Sequence, residues 1–451
     1  MRILIDPGTY NCLNLGDLAM LQVGIGRLRN LVPSATLQVI TDAPDVLARH
    51  CANAQPVSAG AFRAWFQDDI LLPRGQGYLP PFLALCLRKI KRYTRRYWPG
   101  LLRHFLLLAR SGNVPRVDLK AFVEAVYSAD CVVICGQGFL TDHIGNDAIT
   151  KLNLLAAAEA KGILCAMLGQ GFGPLTDMAI LHSARAVLPG VEIISLREAV
   201  TGVQLCRAMH ISNTKCLVSG DEAVELAYKR DGCTHANGVG INVRLSPSSG
   251  LDENALPLVG AALRTFAAGR SIQYVPLPIA RDHSLRDVKS IRQLLRIVCH
   301  DSDGGIHLET PEALINEVSK CRIVLTGAYH AAVFALAQGI PAICICQSDY
   351  FRVKFEGLAD QFGPGCIVIP LQSPQCVETL VRSLAWAWDA APQLRLALQQ
   401  AASKQIFKSY RVYNRLGRTL RRRIPGCDVR TLVPPKRDMR LVAASAEVGG
   451  L

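Results

Sequence analysis

The chain has 451 residues, half of them apolar and 19% charged, which excludes an intrinsically disordered protein and is too long for a single hydrophobic core. We therefore expect two or three domains. No run of about 18 apolar residues occurs, so no membrane-spanning helix is predicted, and the N-terminus lacks the features of a signal peptide, so we expect a cytoplasmic protein. The sixteen cysteines form no Cys-x-x-Cys pair, so neither a disulfide framework nor a metal site is expected.

The first 230 residues alternate apolar strand segments with helical segments. Such alternation, with strands that are nearly continuous apolar runs, predicts an α/β domain built on a doubly wound, Rossmann-like parallel sheet. The strands of this N-terminal domain are predicted at residues 2–6, 37–41, 130–135, 163–168, 192–196 and 215–219.

A basic insertion at about residues 70–117 interrupts this alternation. It contains ten lysines and arginines and no acidic residue, with aromatic and leucine side chains between the cations. This mixture suits the headgroup region of a membrane, so residues 88–110 are predicted to contact anionic lipid or a lipid-linked substrate. A solvated basic helix is the alternative interpretation, and nucleic-acid binding is a third that we do not expect.

A polar stretch around residues 228–237 predicts an interdomain linker, after which the alternation resumes in a second Rossmann-like domain, residues 237–390. Terminal helices are predicted at residues 374–389 and 394–423, so that residues 391–424 form a separate helical segment. The tail, residues 425–451, is expected to be disordered. The strands of the second domain are predicted at residues 239–243, 272–276, 322–326, 341–346 and 366–370.

Four loops of the N-terminal domain repeat one design, an apolar strand followed by a glycine-rich turn with one or two polar side chains. Glycines at strand ends let backbone N–H groups approach a ligand, and open α/β sheets bind ligands at this carboxyl edge. Ordinary tight turns are the alternative interpretation. The loop residues predicted to bind substrate are Asn14, Gly16, Asp17, Gly136, Gln137, Gly138, Asp142, Gly171 and Asp221.

The most informative segment, residues 322–346, predicts a strand, a sharp turn at Gly327, an alanine-rich helix over residues 331–338 and a second strand. It places His330 at the carboxyl edge of a sheet beside a helix N-terminus, where anions are favoured. A titratable imidazole beside an anion site indicates a residue that takes part in acid/base chemistry. A capping or core histidine is the alternative.

Three charged residues directly follow predicted strands and should reach the same edge. Arg197 and Glu198 follow one strand of the first domain, and Arg244 follows the first strand of the second. An arginine there can bind a carboxylate or phosphate through two hydrogen bonds. Glu198 is predicted to bind substrate. Surface ion pairs are the alternative for these residues.

The motifs also have an order along the chain. Together they resemble the polysaccharide pyruvyl transferase family over about residues 2–370. The resemblance implies two Rossmann-like domains facing across a cleft, similar to the glycosyltransferase B architecture, and transfer of pyruvate from phosphoenolpyruvate onto sugars of exopolysaccharides, capsules or cell-wall polymers. The motifs are Asn-Leu-Gly-Asp at 14–17, Gly-x-Gly-x-x-x-Asp at 136–142, Gly-x-Gly-x-Gly-Pro at 169–174, Ser-Leu-Arg-Glu at 195–198, Gly-Asp at 220–221 and Thr-Gly-x-Tyr-His-Ala-Ala-Val at 326–333.

The resemblance also assigns residues. His330 is similar to the family's essential histidine, and Arg197 to its phosphoenolpyruvate-binding arginine. The family commonly has an arginine two residues before the histidine, where this chain has Ala328, and a glycine where this chain has Gln137.

Ketal formation requires a proton donor for the methylene carbon of phosphoenolpyruvate and fixed cations for its carboxylate and phosphate. We therefore predict His330 as the acid/base residue. Lys354 is also predicted to bind substrate and could replace the missing arginine, with a solvated loop lysine as the alternative. The residues predicted to bind the donor are Arg197, Arg244, Gly327 and Tyr329.

Two other functions stay open, namely a glycosyltransferase that uses a nucleotide sugar and a non-catalytic family member that binds a glycan or phosphosugar. The expected partner is a sugar or lipid-linked oligosaccharide acceptor, with phosphoenolpyruvate as co-substrate and no other cofactor. The protein would act in the cytoplasm, with peripheral contact at the inner face of the membrane. The sequence predicts neither the acceptor sugar nor the oligomeric state.

Overall fold

The structure, a computed structural model, describes residues 1–67, 81–102, 114–228, 236–282 and 286–435. Its strands are β1 (Arg2–Asp6), β2 (Thr36–Thr41), β3 (Gln55–Ser58), β4 (Cys131–Cys135), β5 (Leu164–Gln170), β6 (Ile193–Leu196), β7 (Cys216–Val218), β8 (Gly238–Asn242), β9 (Gln273–Pro276), β10 (Cys321–Thr326), β11 (Ala342–Cys346) and β12 (Cys366–Pro370). Its α-helices are α1 (Leu15–Leu31), α2 (Pro44–His50), α3 (Ala59–Phe66), α4 (Pro81–Tyr97), α5 (Arg116–Tyr127), α6 (Gly145–Glu159), α7 (Met178–Val187), α8 (Gly202–Ala208), α9 (Ala223–Ala227), α10 (Ala255–Ala267), α11 (Arg286–Ile297), α12 (Pro311–Val318), α13 (Tyr329–Ala337), α14 (Asp349–Phe362) and α15 (Cys376–Arg423). Most of the predicted linker and parts of the basic insertion and tail lie outside the described residues.

Seven parallel strands form the N-terminal sheet in the order β3-β2-β1-β4-β5-β6-β7. The strand order reverses between β1 and β4, which pair directly. Every residue of β4 is buried, as expected for a parallel strand in the middle of a sheet with helices on both faces. Sheets of this kind bind ligands outside the carboxyl ends of the strands at the point of reversal.

Five parallel strands form the second sheet in the order β12-β11-β10-β8-β9, and here the reversal lies between β8 and β10. Arg244 lies in the loop after β8, and His330 lies in the first turn of the helix that follows β10. Backbone hydrogen bonds from Leu15 N to Ile279 O (3.0 Å) and from Arg281 N to Leu13 O (2.7 Å) join the start of α1 to the second domain. The predicted fold class, an α/β protein with two parallel sheets, is confirmed.

Helix α13 is buried along its whole length. It begins at Tyr329, two residues before the predicted start, so that His330 lies in its first turn. The helix packs against its own sheet and against α9 of the N-terminal domain. Its alanines allow this close approach because their side chains are small, which fixes the first turn of the helix between the two domains.

A single helix of 48 residues, α15, replaces the two predicted terminal helices, so the predicted boundary near residue 390 is wrong. Pro392 removes one backbone hydrogen bond but does not end the helix, because buried residues continue on both sides of it: Leu384 packs in the core of the second domain, and Tyr413 and Leu416 pack in that of the first. The expected tail disorder does not begin at residue 425, because Val429 and Leu432 join the N-terminal core.

Within its described residues the basic insertion contributes α4, and α5 begins at its end. A solvated basic helix would expose all its cations, but not all cations of α4 face outward. Lys91 and Arg95 are almost fully buried, whereas aromatic residues of the same helix are exposed. Within the described part of the chain, no helix is both long enough and apolar enough to cross a lipid bilayer.

Candidate active site

A cavity of about 270 Å³ lies between the two sheets, where the two reversals of strand order meet. The first domain lines it with the loops after β1, β4 and β6 and the first turns of α1 and α6. The second domain lines it with the loops after β8 and β9, the first turn of α13, and α14. Its polar and charged lining consists of Thr9, Asn14, Asp17, Gln137, His143, Asp147, Lys151, Arg197, Arg244, Ser248, Tyr329, His330, Tyr350 and Lys354.

The imidazole of His330 lies between two carboxylates. Its Nδ1 is 4.0 Å from Asp17 Oδ1, and its Nε2 is 3.7 Å from Asp221 Oδ2. Both distances exceed a hydrogen bond, and Nε2 is buried without a hydrogen-bond partner in the described residues. The ring packs directly against Gly16, where a Cβ atom would overlap it. An imidazole held in this way is suited to proton transfer.

Arg197 is buried beside His330. Its guanidinium lies 4.5 Å from the ring centroid of Tyr329, and its Nη1 is 3.6 Å from Asp221 Oδ2. Its Nη2 is buried with no hydrogen-bond partner among the described residues. Because an unpaired buried N–H is costly, an anion in the cavity would stabilise this arrangement.

The charge of Asp221 depends on these neighbours. Burial alone would raise its pKa, but the imidazole of His330 and the guanidinium of Arg197 outweigh burial, and the pKa of Asp221 lies below its ordinary value. The carboxylate therefore stays ionised and faces both the imidazole of His330 and the guanidinium of Arg197.

Arg244 and Lys354 complete a group of cations around the cavity. Arg244 Nε is buried without a hydrogen-bond partner in the described residues. Lys354 lies on α14 and not in a solvated loop, and its Nζ is 4.0 Å from the ring centroid of Tyr350. Burial lowers the pKa of Lys354 well below its ordinary value, Arg197 and Arg244 lower it further, and Asp17 opposes them. The cavity thus combines several cations with unpaired N–H groups.

Several glycines predicted at the site make room for its side chains. A Cβ at Gly171 would lie 2.7 Å from Arg197 Nε, and one at Gly138 would lie 3.1 Å from Arg197 Nη2. A Cβ at Gly327 would lie 3.1 Å from the backbone nitrogen of Arg244. These glycines therefore allow the arginines to approach the cavity, and only Gly138 lines it.

Six predicted substrate-binding residues lie outside the cavity lining, namely Gly16, Gly136, Asp142, Gly171, Glu198 and Asp221, and two of them cap nearby backbone groups. Asp142 accepts hydrogen bonds from the backbone N–H groups of Thr176 (2.8 Å) and Asp177 (2.9 Å). Glu198 caps the start of α8 through the N–H of Gly202 (3.2 Å). Gly136 has a φ of +47°. These positions do not support direct contact with a substrate.

Two other predicted residues line the cavity while also holding the backbone. Asn14 caps α1 by accepting hydrogen bonds from the N–H groups of Gly16 (3.0 Å) and Asp17 (3.2 Å). Gln137 donates a hydrogen bond to the carbonyl of Asp6 (3.3 Å). Their positions are consistent with the prediction, and each also stabilises a loop.

The sequence interpretation missed several residues of the cavity. His143 stacks on Tyr350 with ring centroids 5.2 Å apart, which joins the two domains across the opening. The spacing of His143, Asp147 and Lys151 puts them along one side of a helical segment, and Tyr350 lies one turn before Lys354. This four-residue spacing was the signal that could have revealed them.

Lys151 is also part of a buried charge pair. Its Nζ donates to both carboxylate oxygens of Asp6 (3.0 and 2.9 Å) and to the hydroxyl of Tyr10 (2.7 Å). Because Asp6 balances the charge of Lys151, this lysine adds no unpaired cation to the cavity. Among the described residues, no group of three His, Cys, Asp or Glu side chains could hold a metal ion.

Comparison with known proteins adds a family and a fold. A family model described as polysaccharide pyruvyl transferase matches residues 14–347. No match to a curated protein sequence was found.

Similar solved structures include a glycosyltransferase from Rickettsia africae ESF-5, with 9% identity and a TM-score of 0.51 over 94% of this chain and 99% of that chain. HepE from Anabaena in complex with UDP has 11% identity and a TM-score of 0.52 over 93% of this chain and 99% of that chain. MnaA from S. aureus with UDP has 11% identity and a TM-score of 0.50 over 93% and 96% of the two chains. At these identities the similarity shows the shared architecture alone.

Proposed function

Because the chain belongs to the family of polysaccharide pyruvyl transferases, we propose that it transfers the pyruvyl group of phosphoenolpyruvate to two hydroxyls of a sugar, forming a pyruvate ketal. The acceptor belongs to a surface polysaccharide or to its lipid-linked precursor, and the reaction takes place in the cytoplasm at the inner face of the membrane. The observation that carries this proposal is the convergence of Arg197, Arg244, Lys354 and His330 on one cavity.

The donor fits this group of side chains by charge. Phosphoenolpyruvate carries a carboxylate and a phosphate, and the buried, unpaired Arg197 Nη2 and Arg244 Nε offer hydrogen bonds to such groups. In the family an arginine commonly stands at the position of Ala328, whose side chain is fully buried here. We assign its part in binding the donor to Lys354, which reaches the same cavity from α14.

In the proposed reaction, His330 donates a proton to the methylene carbon of phosphoenolpyruvate, and C2 becomes electrophilic. The oxygen of the first acceptor hydroxyl bonds to C2, and its proton passes to the imidazole, which restores His330. The second hydroxyl then attacks C2, the bond from C2 to the phosphate oxygen breaks, and phosphate leaves with the electron pair and the second proton. Arg197 and Arg244 stabilise the charge that develops on the leaving phosphate.

The acceptor is assigned to the side of the cavity that the first domain lines. Asp17 and Asp147 can accept hydrogen bonds from sugar hydroxyls, and the stacked rings of His143 and Tyr350 offer an aromatic surface to a sugar. The carboxylates also disfavour a second anion on this side, so the donor and the acceptor are kept in one orientation.

The test of this proposal is phosphate release from phosphoenolpyruvate across a panel of sugar acceptors, with the product checked by NMR for the new methyl group of a ketal. Phosphate release that requires both substrates supports pyruvyl transfer. Consumption of a nucleotide sugar in place of phosphoenolpyruvate would instead establish a glycosyltransferase. Binding of a glycan without turnover of either donor would establish a non-catalytic family member.

Exchanging Arg197 for lysine tests donor binding. Arg197→Lys keeps the charge but loses the planar guanidinium, so we expect the dissociation constant for phosphoenolpyruvate to rise about tenfold or more, as for the loss of a charge-assisted hydrogen bond. Arg322→Lys is the matched control, because Arg322 also stacks on an aromatic ring, that of Trp388, but lies away from the cavity. Calorimetry measures both constants, and an unchanged constant in Arg197→Lys contradicts the assignment.

The lowered pKa of Lys354 predicts a pH dependence. An anionic donor stabilises the ammonium, so binding raises the pKa of Lys354 from its low value in the free protein. The protein then takes up a proton on binding between these two pKa values, and donor affinity increases as pH falls through that interval. Calorimetry in buffers of different ionisation enthalpy measures the uptake. Lys354→Met should lose it, whereas Arg352→Met, an exposed cation on the same helix, should retain it.

A further inference from the structure

Helix α4 turns its apolar side toward solvent. Positions four or three residues apart fall on one side of a helix, and the exposed fractions along this side are 72% for Phe82, 58% for Ile90, 54% for Tyr93 and 51% for Tyr97. Trp98, which follows the helix, is 58% exposed and its ring contacts that of Tyr93 at 5.8 Å. Contiguous exposed apolar side chains of this kind mark an interaction surface.

The opposite side of α4 carries buried cations with a defined partner. Lys91 Nζ donates to the carbonyls of Ala64 (3.3 Å) and Gln67, and Arg95 Nη1 donates to those of Trp65 (2.9 Å) and Phe66 (3.1 Å). These carbonyls belong to the end of α3, where they have no partner within the helix.

Cations are favoured at a helix C-terminus, so Lys91 and Arg95 are held inward by the end of α3. This explains why the apolar side of α4 is left outside. The arrangement is the reverse of an ordinary surface helix, which buries its apolar side.

We infer that the exposed face of α4 inserts into the interfacial region of an anionic phospholipid bilayer. Tyrosine and tryptophan are the side chains that this region favours, because their rings are apolar and their polar ends stay hydrated. Lys89, which is exposed, borders the apolar side and complements anionic headgroups. Attachment therefore depends chiefly on apolar insertion, and charge adds to it.

The position of α4 connects this surface to the cavity. α4 rests on α3 and α6, and Asn153 of α6 donates a hydrogen bond to the carbonyl of Phe66 (3.1 Å). The first turns of α6 line the cavity through Asp147 and Lys151. Insertion of α4 would therefore hold the domain that lines one side of the cavity at the lipid surface. That this position would bring a lipid-linked acceptor to the cavity rests on the proposed function.

Flotation with phospholipid vesicles tests the inference, using phosphatidylcholine alone and phosphatidylcholine mixed with phosphatidylglycerol. We expect binding to the anionic vesicles that persists from 0.1 M to 1 M salt, although the Debye length shrinks from about 10 Å to about 3 Å over this range. The combined variant Ile90→Ser, Tyr93→Ser, Tyr97→Ser should lose at least about tenfold in partitioning, because it removes the inserted apolar area. Circular dichroism confirms that the variant is folded.

Two controls separate the contributions of apolar insertion and of charge to vesicle binding. Trp386→Ser with Leu396→Ser removes apolar side chains that are equally exposed but lie on α15, and should leave binding unchanged. Lys89→Gln should reduce the preference for anionic over neutral vesicles and retain most of the salt-resistant binding. In the unmodified protein, tryptophan fluorescence should shift to shorter wavelength on adding vesicles, and Trp98→Phe should lose this shift.

Three outcomes would overturn the inference: no partitioning into either kind of vesicle, binding that 1 M salt abolishes and the serine variant retains, or a dimer in solution that the serine variant converts to a monomer. A gel shift with RNA that depends on the same residues would also overturn it. Phosphate release from phosphoenolpyruvate is measured separately with a soluble acceptor. Its persistence without vesicle binding would reject the membrane surface and leave the proposed function intact.

Discussion

Replacing His330 with alanine is expected to lower the turnover number by about 100-fold or more, the usual effect of removing a general acid/base. The imidazole lies between Asp17 and Asp221 at the edge of the cavity, and no other histidine except His143 lines the cavity in the part of the chain that the structure describes. Alanine has the highest helix propensity, so α13 is expected to form in the variant. The measurement is phosphate release under saturating donor and acceptor.

The matched control is His182→Ala, which removes an exposed histidine from α7. It should leave turnover unchanged. The dissociation constant of phosphoenolpyruvate should change much less in His330→Ala than the turnover number does, because the arginines and Lys354 remain. Near-complete activity of His330→Ala would reject the proposed mechanism, whichever donor the protein uses.

Exchanging Gly16 for alanine is expected to reduce turnover by a similar factor without removing any functional group. A Cβ at this position would overlap the imidazole of His330, which must then leave its place between the two carboxylates. A displacement of about 1 Å can cost about 100-fold in rate when it misplaces a reacting group. The effect should appear in the turnover number, while the affinity for phosphoenolpyruvate changes little.

Gly26→Ala provides the control in the same helix, α1. No atom lies within 4 Å of a Cβ placed at Gly26, so alanine fits there without displacement. We expect unchanged turnover and a free energy of unfolding higher by about 0.5–1 kcal/mol, because glycine in a helix interior is destabilising relative to alanine. Equal activity of Gly16→Ala and Gly26→Ala would show that the position of His330 does not limit the rate.

Local sequence signals predicted eleven of the twelve described strands, because most of them are apolar runs that end in a turn, whereas β3, with the sequence Gln-Pro-Val-Ser, is not such a run and is not predicted. The loop after β10 is the clearest example, since Gly327 and the alanine-rich helix follow it directly and put His330 at the edge of the sheet. The same rule put Arg197 and Arg244 at the ends of β6 and β8. For these residues, position at the end of a strand was enough to predict that they lie near the cavity.

Position at the end of a strand does not show whether a polar side chain contacts a ligand or a nearby backbone group. Asp142 and Glu198 have the residue types and loop positions of ligand-binding groups, but both accept hydrogen bonds from nearby N–H groups. Conversely, His143 and Tyr350 lie in different domains, and nothing local in the sequence indicates that their rings stack.

The sequence by itself determined the α/β class, the alternation of strands and helices, and the strand-end positions of the cations and of His330, because these depend on interactions between residues close in the chain. Only the tertiary structure decided which charged groups have partners. Asp221 lies beside Arg197 and His330, and carbonyl groups at the end of α3 accept hydrogen bonds from Lys91 and Arg95 of α4. Whether a charged side chain is paired and whether it is exposed depend on neighbours that are distant in sequence. The unpaired N–H groups of Arg197 and Arg244 and the outward aromatic side of α4 therefore follow only from the packing of the domains and helices.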